Sequence, residues 1–361
     1  MTTFSICLSG NEMFSCSKAD KLFSKFNNFS LIDKIKFCAS FKVLSSSVLV
    51  IELTYFSISS SFKIKMSFDL SSCSSSFFLL LKIFQIKSSI KILLFFKIII
   101  SLMTKTLGIL SGKGGTGKTT FSINLAFALN KFGKRVALID MNITMPHIAS
   151  YLGLSPKFTI NDVASKKVGI NDAFTNFNGI KVIAASNNLN DLKDFDIKEV
   201  KRQLEYLKRQ KTFDFIILDG APGIGKEALY VIDLSNEIIF VSNPFDQFVE
   251  DIKRVKEIVK EMGNKQMSLV LNMGFWPTEE KIKEIEDGTK LKVIGVIPQD
   301  KKIQFSLINR IPLLEFSPNS ISAECFKAIA ARIADEEYEE SWKLKFFRGF
   351  NKLVNSINAF L

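Results

Sequence analysis

A glycine-rich stretch, Ser111-Gly112-Lys113-Gly114-Gly115-Thr116-Gly117-Lys118-Thr119-Thr120, separates an apolar run, Leu107 to Leu110, from a helix-like run, Phe121 to Phe132. Gly112, Gly117, Lys118 and Thr119 satisfy the spacing of a phosphate-binding loop, and the flanking strand and helix are the context that spacing requires. Glycines let successive backbone N–H groups turn inward around phosphate oxygens, where the helix N-terminus adds partial positive charge. Lys118 is placed to reach the β- and γ-phosphates. The Thr119 hydroxyl suits Mg²⁺, which takes one or two protein oxygens beside phosphates and water. Lys113 brings a second cation of the kind a charge-dispersing phosphoryl transfer uses, the alternative being a solvated lysine at the loop edge.

Short apolar runs alternate with helical patterns around this loop. Thr106 to Leu110, Val136 to Ile139, Ile180 to Ala184, Phe213 to Leu218, Glu237 to Val241, Met267 to Leu271 and Val293 to Ile297 read as buried strands. Lys198 to Arg209, Gln247 to Met262 and Thr278 to Asp287 read as helices between them. The pattern predicts an α/β fold, a doubly wound, mainly parallel sheet of the P-loop NTPase type, with an amphipathic helix at the C-terminus. Ligands of such sheets sit beyond the carboxyl ends of strands. Asp140 and Asp219 both stand there. Asp219, after four apolar residues, fits a carboxylate that holds Mg²⁺ through its water shell, and Gly223 and Gly225 would let the loop behind it rearrange.

Composition sets residues 1–102 apart. Up to Met103 there is no proline, no arginine and one glycine, Gly10, while Phe, Ser, Lys and Ile recur; ordinary domains need more turn residues. This low-complexity segment is expected to be disordered or absent from the functional protein, which would start at Met103. Its lysines interrupt every apolar run, so it holds neither a clean membrane span nor a cleavable signal. It also carries 12 lysines against 5 acidic residues, leaving 36 basic and 31 acidic residues, or +5 of the total +12, for the rest. That balance gives little support to a nucleic-acid surface. Four of five cysteines fall in the segment, and Cys325 alone cannot build a disulfide framework or a C-x-x-C metal pair, consistent with a reducing cytoplasm.

The pieces KGGTGKT, IDMNITMPHIASYLGL, DFIILDGAPGIG, VLNMG and GVIPQD together resemble the MinD/ParA family of deviant P-loop ATPases over residues 103 to about 335. Their order and spacing are most similar to archaeal-type MinD proteins. The resemblance implies that Lys113 reaches the partner's nucleotide in an ATP-linked homodimer, and that Asp140 and Asp219 are the carboxylates on the Mg²⁺ side. It implies adenine recognition by Asn272, with Pro298 to Asp300 along the purine. Members usually carry a second aspartate that positions the attacking water where this chain has Asn142. An amide orients water but is a poor proton acceptor. His147, the only histidine, reads as structural or loop-facing.

After an acidic linker, residues 336–341, the chain ends in a helical pattern. Trp342, Phe346, Phe350, Leu353, Ile357 and Phe360 share one arc; Lys345, Arg348 and Lys352 lie opposite, and Leu344 is out of place. Aromatic residues on one face and basic ones on the other describe a helix lying in an anionic membrane surface, with docking on its own domain or on a partner as the alternative. A membrane-targeting tail is also what the resemblance implies.

These readings combine into an ATP- and Mg²⁺-dependent switch that dimerises and binds the inner face of the cell membrane. It would answer to an unidentified activating protein and serve spatial positioning such as division-site placement. Positioning of a surface filament machine is a related reading. DNA partition and cluster carriage fit the charge and the cysteine count less well. Peptide mapping of protein from the source cells checks the expected start, and peptides from residues 1–100 would overturn it. Phosphate release should be slow in the wild type and faster in Asn142→Asp; a faster wild type would contradict the role given to that position.

Overall fold

The computed structural model describes residues 36–45, 48–56, 61–69, 104–263, 265–274 and 276–358. The chain divides into two units at residues 101/102. In the first, β1 (Lys36–Ser45), β2 (Val48–Phe56) and β3 (Ser61–Asp69) pair as an antiparallel meander. These strands lie within the low-complexity segment expected to be disordered or absent from the functional protein. Their Phe, Ile, Val and Thr content favours extended backbone even without strict alternation.

The second unit is built on eight strands: β4 (Lys105–Ser111), β5 (Val136–Asp140), β6 (Thr175–Phe177), β7 (Ile180–Ile183), β8 (Phe215–Pro222), β9 (Glu237–Ser242), β10 (Gln266–Gly274) and β11 (Lys292–Pro298). Their order across the sheet is β11-β10-β9-β4-β8-β5-β7-β6, and every pair is parallel except β6 with β7. Seven of the eight match the apolar runs. The short edge strand β6, with no fully buried residue, has no run to announce it.

The helices follow in chain order as α1 (Lys118–Lys131), α2 (Ile148–Leu152), α3 (Ile160–Ala164), α4 (Ile197–Gln210), α5 (Lys226–Leu234), α6 (Asp246–Glu261), α7 (Glu279–Thr289), α8 (Lys301–Ile308), α9 (Leu313–Phe316), α10 (Ile321–Ala334) and α11 (Trp342–Asn358). Two apolar cores result. Phe121 and Phe127 of α1 and Phe326 of α10 pack with Leu138, Ile217 and Ile239 on one side of the sheet. Val200 and Leu204 of α4, Val231 of α5 and Ile252 and Val255 of α6 pack with Ile216 and Phe240 on the other. Among the described residues no helix is long and apolar enough to cross a membrane.

Burial explains why strands predicted from short apolar runs come together as parallel neighbours. β4 is covered on both faces, and Leu107, Ile109 and Leu110 have no exposed surface. At Gly108 there is no room for a side chain, because a Cβ would collide with Ser235 Oγ and press on Val231 and Ile238. That close approach seats α5 directly on β4 and so brings the loop between β8 and α5 beside the glycine-rich loop. α1 is buried on nearly all sides, which makes its N-terminus an immobile platform at the centre of the sheet.

Candidate functional site

The glycine-rich loop runs from the end of β4 to the start of α1, where Gly117 takes a left-handed conformation, φ 85°. α1 has no side-chain cap and no acidic residue in its first turn. Its first backbone N–H groups therefore remain donors for an anion. Nothing lies within 4 Å of where a Cβ would stand on Gly114 or Gly115, so backbone alone lines that part of the loop. At Gly117 the opposite holds: a Cβ would strike Asn272 Nδ2 and Met273 Cε.

Lys118 lies buried beneath the loop, and its Nζ donates to Ser111 Oγ at 2.9 Å. Ser111 Oγ in turn donates to the Lys113 carbonyl at 2.6 Å, so one serine holds the lysine and braces the loop. Burial pulls the Lys118 ammonium below the usual lysine range, and the charge of Asp219 opposes that pull. Asp219 is itself fully enclosed. Its Oδ1 accepts from Ser122 Oγ at 2.7 Å, while Oδ2 is buried without a hydrogen-bond partner of acceptable geometry, although the Thr119 hydroxyl lies close enough to stabilise its charge.

Asp140 stands opposite Asp219 in the β5–β8 register. Its Oδ1 accepts from the Asn142 backbone N–H at 3.0 Å, and its Oδ2 accepts from those of His147 and Ile148, both at 3.2 Å. Asp140 thus folds the loop at 141–147 around itself and holds Asn142 in a buried position. Burial drives Asp140 well above the ordinary carboxylate range and the neighbouring Asp219 raises it further, against the three N–H donors. Burial likewise raises Asp219, against Thr119, Ser122 and Lys118.

These groups fit Mg²⁺ and a nucleotide. An unpartnered buried oxygen on Asp219, an unpartnered buried hydroxyl on Thr116, uncapped helix donors and a buried lysine share one loop. A divalent cation beside the two carboxylates would offset the burial that raises them. Among the described residues no cluster of three or more His, Cys, Asp or Glu forms a metal site by protein ligands alone.

Thr120 is buried in the first turn of α1, where its carbonyl accepts from Asn124 Nδ2. Asn272 is buried and its Nδ2 donates to the Thr116 carbonyl at 2.8 Å, so its amide braces the phosphate loop from below. Pro298 pairs with Gly274 on the adjoining strands β10 and β11, and Asp300 caps α8 by accepting from the Lys302 N–H at 2.8 Å. Asn272, Pro298 and Asp300 thus gather at neighbouring strand ends beside the loop. Lys113 points elsewhere within this chain: its Nζ is 3.0 Å from Asp251 Oδ2 of α6, with half of the lysine side chain exposed. Residue types at their spacing do not disclose Ser111, Ser122 or Asp251. The one available signal is that Ser122 follows Thr119 by three positions, on the same helix face.

The C-terminal helix divides its faces differently from the arc drawn on sequence. Leu344, the residue out of place, is fully buried, and Phe347 meets Trp276 edge to face with ring centroids 5.8 Å apart. Arg348 stacks over Trp276 and pairs with Glu340 at 2.7 Å. Lys345 stands 3.9 Å from Glu339. Trp342, Phe346 and Phe350 are 72%, 68% and 56% exposed. The side chains of Lys352, Leu353 and Ile357, and the whole of Phe360, lie outside the described residues.

Comparison with known proteins follows the same outline. The family model described as "ParA: NUBPL iron-transfer P-loop NTPase" matches residues 102–334. An uncharacterized ATP-binding protein of Methanocaldococcus jannaschii is 34% identical, covering 72% of this chain and 98% of that protein. The septum site-determining protein MinD of Synechocystis is 29% identical, covering 71% and 97%. The solved structure of MinD from Pyrococcus horikoshii complexed with Mg-ADP superimposes with a TM-score of 0.59 at 27% identity, covering 64% of this chain and 96% of that one.

The carboxylate pair makes a prediction with a definite sign. Carboxylates raised in the folded state stabilise it most below their unfolded value near 3.8 and lose that contribution as pH rises through the folded value. Asp219→Asn keeps the acceptor for Ser122 and removes one buried charge. It should flatten the decline of nucleotide-free stability with pH and abolish stabilisation by Mg-ADP in calorimetric melts. A variant that Mg-ADP still protects would contradict the assignment.

Proposed function

Since the chain belongs to the ParA/MinD family of P-loop NTPases, we propose that it is an ATP-dependent switch of MinD type, which dimerises on Mg-ATP, attaches to membrane and leaves it after slow hydrolysis. The observation that carries the nucleotide half is Lys118 and Asp219 buried together under uncapped α1 donors. Bound Mg²⁺ would supply charge neutralisation at the phosphates, with Thr119 and Asp219 as the residues that hold it and Asp140 behind them. Lys118 neutralises phosphate charge from below. Asn142 orients water without accepting its proton, and a largely dissociative transfer tolerates that at reduced rate.

Dimerisation is supported by Lys113. In this chain its charge is engaged by Asp251 at the loop edge, where it is half exposed and sits on a flexible stem. Turning toward a second copy exchanges Asp251 for the partner's phosphates. Met145, Ile224 and Phe245 from loops around the site, and Met273 from the end of β10, are exposed apolar residues suited to such a contact.

Membrane attachment is supported by the exposed Trp342, Phe346 and Phe350 on a helix held to its domain through Leu344 and Phe347. Each large apolar side chain contributes at most about 1.5–3 kcal/mol on full burial, so one tail binds reversibly and two on a dimer bind far more tightly. The objects placed would be spatial ones, such as a division site, under an activating protein. Among the described residues no cluster of three or more His, Cys, Asp or Glu offers a ligand set for the iron-transfer description of the matched family, and Cys325 is buried, its thiol pushed up to about 12 by burial. DNA partition has only the mild charge surplus behind it.

Co-sedimentation of the full chain with anionic vesicles tests this reading. Binding should be stronger with ATP than with ADP and fall at least about tenfold in Trp342→Ser/Phe346→Ser/Phe350→Ser. Binding to duplex DNA but not to vesicles would overturn it.

A further inference from the structure

The loop at 141–147 holds Asn142, and the loop at 223–225 follows the strand end that carries Asp219; they leave the sheet from adjacent strands, β5 and β8. At their base they are joined by backbone, the Met141 N–H donating to the Asp219 carbonyl at 2.9 Å. Farther out, one side chain spans them. Glu227, in the first turn of α5, accepts on Oε1 from both the backbone N–H and the hydroxyl of Thr144, each at 2.7 Å. Two donors from a single residue on one carboxylate oxygen make a charge-assisted contact, and the N-terminus of α5 favours the negative charge there.

On the α5 side of this contact the backbone has room to rearrange. Gly223 is left-handed, φ 77°, and a Cβ on Gly225 would meet nothing within 4 Å, so the segment leading to Glu227 has free space and permissive backbone. Thr144 lies two residues beyond Asn142 and three before His147, which Asp140 holds. The 141–147 loop is therefore pinned at its ends by Asp140 and at its middle by Glu227.

We infer that Glu227 is a positioning residue that makes the two loops move as one, so that a rearrangement behind Asp219 is delivered to Asn142 through Thr144. The inference rests on the ATPase reading given above but concerns a contact outside the phosphate loop. Without the clamp, Asn142 keeps its place near Asp140 and loses its link to the other loop. Nucleotide affinity, set by the glycine-rich loop, stays as it is.

The test uses the full chain with Glu227→Ala, Glu227→Gln, Thr144→Val and the Glu227→Ala/Thr144→Val pair. Phosphate release should show kcat about five- to tenfold lower in Glu227→Ala with KM for ATP unchanged. Glu227→Gln, which keeps an acceptor, should recover most of the rate, and the double variant should be no slower than Glu227→Ala. Equal rates in wild type and Glu227→Ala, or a change in KM alone, would overturn the inference. Hydrogen exchange of the 141–147 backbone in the nucleotide-free chain gives a readout that needs no hydrolysis: it should quicken in Glu227→Ala and much less in Glu227→Gln. Unchanged exchange would also overturn it. A wild type that releases no more phosphate than Lys118→Ala would instead count against the ATPase reading, leaving exchange to decide the clamp.

Discussion

Two carboxylates face each other at the ends of adjacent parallel strands, both removed from water, and the centre of the molecule is arranged around the cost of that placement. Asp140 spreads its charge over three backbone N–H groups, and Asp219 leans on Ser122, Thr119 and Lys118. Lys118 is drawn below its usual range by the same burial. None of these groups is fully compensated by another within the chain, as the unpartnered Asp219 Oδ2 shows most directly. A divalent cation with phosphates above it supplies the charges this set lacks.

The sheet makes the arrangement possible. β4 sits between β8 and β9, so the loop at its end opens above the middle of the sheet, and β8 brings Asp219 alongside it. Asp140 follows from the next strand in exact step with Asp219. The loops that leave these strands are tied to one another by Met141, Thr144 and Glu227 before they reach solvent. Nucleotide chemistry at the base and loop position at the rim are thereby parts of one connected structure. The tail joins at another edge, through Trp276, which lies four residues beyond Asn272.

Much of this was legible in the sequence, for identifiable reasons. Seven strands announced themselves because parallel strands buried on both faces are nearly continuous apolar runs. Lys118, Thr119 and Asp219 were legible because a phosphate loop and a strand-end carboxylate have local signatures. Ser122, Asp251 and Glu227 were not: each acts on a partner 83 or more positions away, or across two elements whose packing no local pattern encodes. The resemblance implies adenine recognition by Asn272, and its donation to the Thr116 carbonyl is a further contact that depends on β10 lying near β4. Leu344 broke the amphipathic arc because it serves a second, inward face of the helix. The short helices α2, α3 and α9, at four or five residues each, are too brief for periodicity to register.

The most direct test of the central claim is calorimetry of Mg-ATP binding to the full chain in two buffers of different ionisation enthalpy at neutral pH. Because burial raises both Asp140 and Asp219 in the nucleotide-free chain, binding of the cation should release protons to the buffer, and the release should be smaller in Asp219→Asn, which leaves Asp140 alone to contribute. Tight Mg-dependent binding with no proton exchange, or with proton uptake, would contradict the account.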